Sequence, residues 1–173
     1  MASVEANQHA ASQIGIFRIT EKRTFVTDPI SVAASRVAVV TGGASGIGPV
    51  IGRRLADAGH PVALIDHQGD LVRLRAAELT AQGFAVIAIE ADVTDREAIR
   101  AAIDTVRTDV GPISIMVTSA GVDVGTPVPV ADITAEQWDR LIAINLTGTF
   151  NCLQAAIPDM QTTGWGRIVT ISS

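Results

Sequence analysis

The stretch that most constrains this chain is TGGASGIG, running from Thr41 to Gly48. It follows an apolar, β-branched run, Arg36–Thr41, and precedes Ile47, Ile51, Leu55 and Ala58, which recur at helical spacing until Gly59 stops them. Glycines at 42, 46 and 48 let the backbone turn sharply and approach a pyrophosphate, whose charge then lies at a helix N-terminus. Thr41, Ser45 and Ile47 complete the turn as candidate cofactor contacts. Glycine strings occur in many loops, so a purely structural turn is the alternative. The position between a strand and a helix is what favours phosphate binding.

From Arg36 onward strands and helices alternate. Pro61–Asp66 reads as a second strand, followed by Val72, Ala76 and Leu79 on one helical face, and Ala85–Glu90 as a third. Thr94 with Glu97 forms a capping-box pattern ahead of Ile99, Ala102, Ile103 and Val106. Ile113–Thr118 is a fourth strand, with a Gly/Pro-rich loop after it. Thr134 with Gln137 is a second capping box, opening a helical stretch that runs to about Met160 with a break near Asn145–Gly148. Arg167–Ile171 closes the series as a strand whose Ile168, Val169 and Ile171 are expected to be buried. Strand–helix alternation at this spacing predicts an α/β fold with a doubly wound parallel sheet.

Composition removes several function classes. No run approaches the ~18 uninterrupted apolar residues of a membrane span, which argues against a membrane role. A net charge of −5 without a basic cluster argues against nucleic acid and anionic lipid surfaces. The single cysteine, Cys152, excludes an internal disulfide, fits a reducing cytoplasm and reads as core filler. His9, His60 and His67 are scattered without metal-ligand spacing, so no metal site is expected. Residues 1–35 hold the only lysine, Lys22, show no period and contain no apolar signal segment; an irregular arm is expected there, ahead of a domain over 36–173. A transit peptide is the alternative, weakened by Glu5, Glu21 and Asp28.

The second strand ends at Asp66, 18 residues after Gly48. A carboxylate there accepts hydrogen bonds from a ribose diol. It would repel a 2′-phosphate: two unit charges ~4 Å apart at an effective dielectric of about 20 cost roughly 4 kcal/mol before screening. No arginine lies near Asp66 in the sequence to offset this, so NAD is expected over NADP. The competing reading is a strand-end aspartate that caps the next helix.

These motifs together resemble the short-chain dehydrogenase/reductase family, and the resemblance covers nearly everything from Arg36 to Ser173. The family's T-G-x-x-x-G-I-G is met by Thr41, Gly42, Gly46, Ile47 and Gly48. Its adenine-touching Asp-Val pair is matched by Asp92 and Val93. QWDRLIAINLTGTF resembles the long helix that carries a catalytic asparagine, here Asn145, and GRIVTISS resembles the strand leading to the catalytic serine, here Ser173 beside Ser172. Where the family has N-N-A-G, this chain reads Thr118-Ser119-Ala120-Gly121, so Ser119, Ala120 and Gly121 carry over as cofactor contacts with small polar groups in place of the asparagines. Pro49 replaces a longer side chain and is tolerable, because a first-turn proline loses no helical hydrogen bond.

The resemblance implies a Rossmann fold and hydride transfer between a nicotinamide cofactor and a small alcohol or ketone, 3-oxoacyl reductase-like or similar. Ser173 would hold the substrate oxygen, Asn145 would help organise the proton relay, and the full-length enzyme would be a homo-oligomer. The family's Y-x-x-x-K does not occur: the chain has no tyrosine, and its one lysine lies far upstream. The expectation is therefore an N-terminal portion cut at the catalytic serine after the fifth strand, almost inactive alone. The rival reading is a non-catalytic dinucleotide-binding protein. A methyltransferase on a similar sheet is disfavoured, because the glycine motif and the Asn145-to-Ser173 arrangement have no role there.

Overall fold

The computed structural model describes residues 35–125 and 128–172. The strands are β1 (Val37–Thr41), β2 (Val62–Asp66), β3 (Val86–Glu90), β4 (Ile113–Thr118) and β5 (Arg167–Thr170). The helices are α1 (Ile47–Asp57), α2 (Gly69–Thr80), α3 (Arg96–Asp109), α4 (Ala135–Leu141) and α5 (Thr149–Thr163). The sheet is parallel throughout in the order β3-β2-β1-β4-β5. The chain lays β2 and β3 to one side of β1, then crosses to lay β4 and β5 on the other. Strand order therefore reverses between β1 and β4, where an open α/β sheet leaves a crevice beyond its carboxyl ends.

Two apolar layers sandwich the sheet. Val39, Ile65, Met116, Ile99, Ile103, Cys152 and Ala156 form one, beneath α3 and α5. Val40, Leu64, Val117, Val72, Ala76 and Leu79 form the other, beneath α1 and α2. The apolar faces read for α2 and α3 are the buried ones. Burial pushes the Cys152 thiol up to about 12, in keeping with core packing rather than reactivity.

The structure corrects the sequence reading at three points. α1 buries Gly48, Gly52 and Ala56; of the row read from the sequence, Ile51 and Leu55 pack partly buried against the core, while Ile47 is 58% exposed. The helix lies so close to the sheet that a Cβ at Gly52 would come within 2.6 Å of the Leu64 Cδ2, so the smallest side chains take the inner face. At α3 the cap is Asp95, whose carboxylate accepts from the Glu97 and Ala98 amides; the Thr94 hydroxyl instead donates to Asp92 at 2.8 Å. Ile168 and Val169 in β5, and Ile171 just after it, are 39–48% exposed, because this strand pairs only with β4 at the sheet's edge.

The Thr134–Gln137 capping box forms at α4 as read. The break near Asn145 is a π-helical segment, Ile142–Gly148, joining α4 to α5. The helical run Ala135–Thr163 is long and apolar enough for a membrane span by composition alone; here Cys152, Ala156 and Met160 turn its inner face to the sheet. The arm expected over residues 1–35 lies outside the described residues except for Ser35, and so does Ser173.

Candidate functional site

A cavity of about 850 Å³ opens at the carboxyl ends of the strands, where the strand order reverses. The glycine turn forms one wall. Gly42 and Gly46 have φ of 69° and 62°, conformations that side chains disfavour. A Cβ at Gly42 would lie 2.8 Å from the Ala120 amide nitrogen, and one at Gly48 would collide with the Gly42 carbonyl. A Cβ at Gly46 would meet nothing within 4 Å, so this glycine keeps its outer side open. Directly behind it, α1 begins with neither a side-chain cap nor an acidic residue in its first turn. By contrast, Asp95 and Thr134 cap α3 and α4. The orphan N–H groups of α1 are thus left to an anion, which the helix dipole favours there.

Asp66 is buried at the end of β2 and lines the same cavity. Its Oδ2 accepts from the Ala44 amide at 3.0 Å and its Oδ1 from the Gln68 amide at 2.9 Å. His67 Nδ1 lies 3.1 Å from Oδ1. One backbone donor on each oxygen fixes the carboxylate and leaves lone pairs toward the cavity. The residue at the N-cap of α2 is Gln68, so Asp66 is not the helix cap of the competing reading. Against the sequence reading, an arginine does come near this region: Arg75 folds back from α2 so that its Nε donates to the Ala44 carbonyl at 3.3 Å while it pairs with Glu78.

The opposite walls come from the ends of β3 and β4. Asp92 is held by the Thr94 amide and hydroxyl, both at 2.8 Å, and Val93 is buried beside it. Ser119, Ala120 and Gly121 line the cavity after β4, and the Ser119 and Ala120 amides donate to the Thr41 hydroxyl at 3.3 and 3.4 Å. Of the residues singled out from the sequence, Ser45, Gly46, Ile47, Gly42, Asp66, Asp92, Val93, Ser119, Ala120 and Gly121 converge here, while Thr41 and Gly48 support the wall from behind.

Asn145 acts differently from a lining residue. From the π-helical segment its Oδ1 accepts from the Val122 amide at 2.9 Å, and its Nδ2 donates to the Val122 carbonyl at 2.8 Å. The amide closes on one peptide unit and holds the loop after β4 against the helix. The sequence reading missed Gln68, Val122, Arg140, Ile144 and Ile171 as lining residues. Ile144 and Arg140, one helical turn apart, could have been found from the helix carrying Asn145; Ile171 and Val122 needed the fold. Among the described residues no three His, Cys, Asp or Glu side chains gather as a metal would require.

A parallel open sheet with a glycine turn at its switch point and an aspartate at the end of β2 defines a Rossmann-like α/β protein. The family model described as short chain dehydrogenase matches residues 36–173, and the chain belongs to that family. It is 39% identical over 140 residues to 2-dehydro-3-deoxy-L-rhamnonate dehydrogenase (NAD(+)) from a Sphingomonas species, covering 81% of this chain and 54% of that protein. It is 38% identical to acetoacetyl-CoA reductase from Cupriavidus necator, covering 80% and 56%. A gluconate 5-dehydrogenase from Burkholderia cenocepacia, solved with NADP and tartrate, superimposes with a TM-score of 0.74 at 34% identity, covering 80% of this chain and 53% of the other. The chain spans about half the length of these relatives.

Proposed function

We propose that this chain forms the dinucleotide-binding portion of an NAD-dependent oxidoreductase that interconverts a small alcohol and the corresponding ketone. The observation that carries the reading is the pairing, across one cavity, of an uncapped α1 N-terminus behind Gly46 with the fixed carboxylate of Asp66. The first supports a pyrophosphate and the second a ribose diol. When bound, the nicotinamide supplies or accepts the hydride.

The chain's own residues bind, orient and position. The turn from Gly42 to Gly48 holds phosphate through backbone N–H groups. Asp92 and Val93 meet the adenine, and Ser119 to Gly121 line the path toward the end of β5. Asn145 keeps that path in place through Val122. Ser173, just past β5, is assigned to hold the substrate oxygen and stabilise its developing charge. These 173 residues contain no tyrosine and only Lys22 as lysine, so they lack the family's proton-transferring pair. General acid/base catalysis is typically worth ~10²–10⁴-fold, and turnover by this chain alone should be reduced accordingly.

Asp66 favours NAD over NADP. Arg75 does not reverse that preference, because Glu78 already engages it. The full-length protein is assigned as a homo-oligomer, supported by Leu146 and Phe150 standing 63% and 51% exposed on one long helix. A second reading is a dinucleotide-binding protein without catalysis. Calorimetric titration with NAD and NADP, followed by assay of the chain extended through its natural downstream sequence, tests both. NAD binding tighter than NADP, with alcohol oxidation in the extended protein, is expected. Binding without oxidation there would favour the second reading, and no dinucleotide binding would overturn both.

A further inference from the structure

The cavity contains a cation that the motifs above do not use. Arg140 lies in the last turn of α4, one helical turn before Ile144, and both line the cavity with Asp92 and Val93. Among the described residues no carboxylate oxygen lies within 4.0 Å of its guanidinium, whereas Arg75 is engaged by Glu78 and Arg96 by Asn151. Asp92 is not paired with it: its Oδ1 accepts from the amide and hydroxyl of Thr94, and neither of its oxygens lies within 4.0 Å of the Arg140 guanidinium. The helix is anchored over the end of β3, where Gly148 presses on Val93; a Cβ at Gly148 would lie 2.6 Å from the Val93 Cγ2.

Two facts decide what this guanidinium is suited to. The ligand's phosphates already have the α1 N-terminus, which follows β1, and β3 lies two strands away, roughly 10 Å at ordinary strand spacing. On the β3 side the cavity is lined by Val93 and Ile144 together with Asp92, and a planar, weakly hydrated guanidinium beside apolar neighbours favours an aromatic face over a strongly solvated anion. We propose that Arg140 stacks on the adenine ring of the dinucleotide from the side of Ile144, making adenine affinity depend on this residue. The proposal rests on the reading of the cavity as a dinucleotide site.

The test uses Arg140→Gln, an exposed position whose replacement leaves the core untouched, with adenosine and ADP-ribose as probes in calorimetric or NMR titrations. Stacking predicts that both ligands weaken by the same factor, about three- to tenfold, because both carry the adenine and only one carries phosphate. Unchanged affinity for both overturns the proposal. So does a loss confined to ADP-ribose, which would mean that Arg140 pairs with phosphate. If the unmutated chain binds neither probe, the dinucleotide reading fails and this proposal with it; if it binds both and the variant binds them equally well, only the role of Arg140 fails.

Discussion

Replacing Asp66 separates its structural from its binding work. In Asp66→Ala, the Ala44 and Gln68 amides lose their acceptors, and Ala44 is fully buried. A hydrogen bond to a charged group contributes about 1.5–3 kcal/mol, and the Gln68 end is partly solvated, so the expected loss is about 3 kcal/mol. For a domain of this size that lowers Tm by about 10–15 °C. Asp66→Asn keeps one acceptor and turns an amide nitrogen toward a backbone donor, so it should lose about half as much. Binding is read separately by titrating NAD and NADP at a temperature where both variants are folded. Removing the charge should weaken NAD and lift the repulsion of a 2′-phosphate, estimated above at roughly 4 kcal/mol before screening, so the NAD:NADP ratio should fall by at least tenfold. An unchanged Tm in Asp66→Ala would refute the fixed-carboxylate geometry. An unchanged ratio in a folded Asp66→Asn would show that the carboxylate does not face the 2′ position.

Other perturbations discriminate further. Gly46→Val should abolish dinucleotide binding in calorimetry while circular dichroism stays native, since a Cβ there meets nothing within 4 Å and only the positive φ is strained. Asn145→Ala should speed hydrogen exchange at the Val122 amide by at least tenfold, as both bonds of the clamp are lost. The Cys152 thiol, raised from 9.0 to about 12 in the fold, remains protonated there after the unfolded chain has released its proton. Stability should therefore fall as pH climbs above 9, by up to about 1.4 kcal/mol per pH unit, and Cys152→Ala should not show that part of the decline in chemical denaturation. The 173-residue chain should self-associate in sedimentation, and Phe150→Glu with Leu146→Glu should shift it toward monomer; a dye-silent monomer before substitution would count against the exposed helix face as an interface.

The sheet was legible because β-branched runs bounded by glycine, aspartate and proline leave strands little freedom, and each strand begins and ends within a residue or so of its expected limits. The glycine turn and Asp66 were legible because backbone geometry and charge are local properties. What escaped was set by approach distances. Helical spacing picked out Ile47, Ile51 and Leu55 on α1, of which Ile51 and Leu55 pack at the margin of the core, while the closest approach to the sheet is made by Gly48, Gly52 and Ala56. Thr94 lost the cap to Asp95 because the Asp92 carboxylate captured its hydroxyl. The Asn145–Val122 clamp joins residues 23 apart through a π-helical segment, and no periodicity announces such a contact.

Leu64 touches two stories at once. Its side chain stands where a Cβ at Gly52 would go, and its own Cβ would lie 2.8 Å from a Cβ at Gly43. One core leucine therefore acts as the spacer that sets the height of α1 above the sheet and the height of the glycine turn together. For anyone redesigning the cofactor preference, the turn cannot be treated as an interchangeable surface loop. A bulkier residue at 64 would lift the phosphate wall from below without altering a single residue of the motif, and a smaller one would let it sink. The residue to hold constant while loops are exchanged lies in the hydrophobic interior, where sequence comparison of motifs would not look.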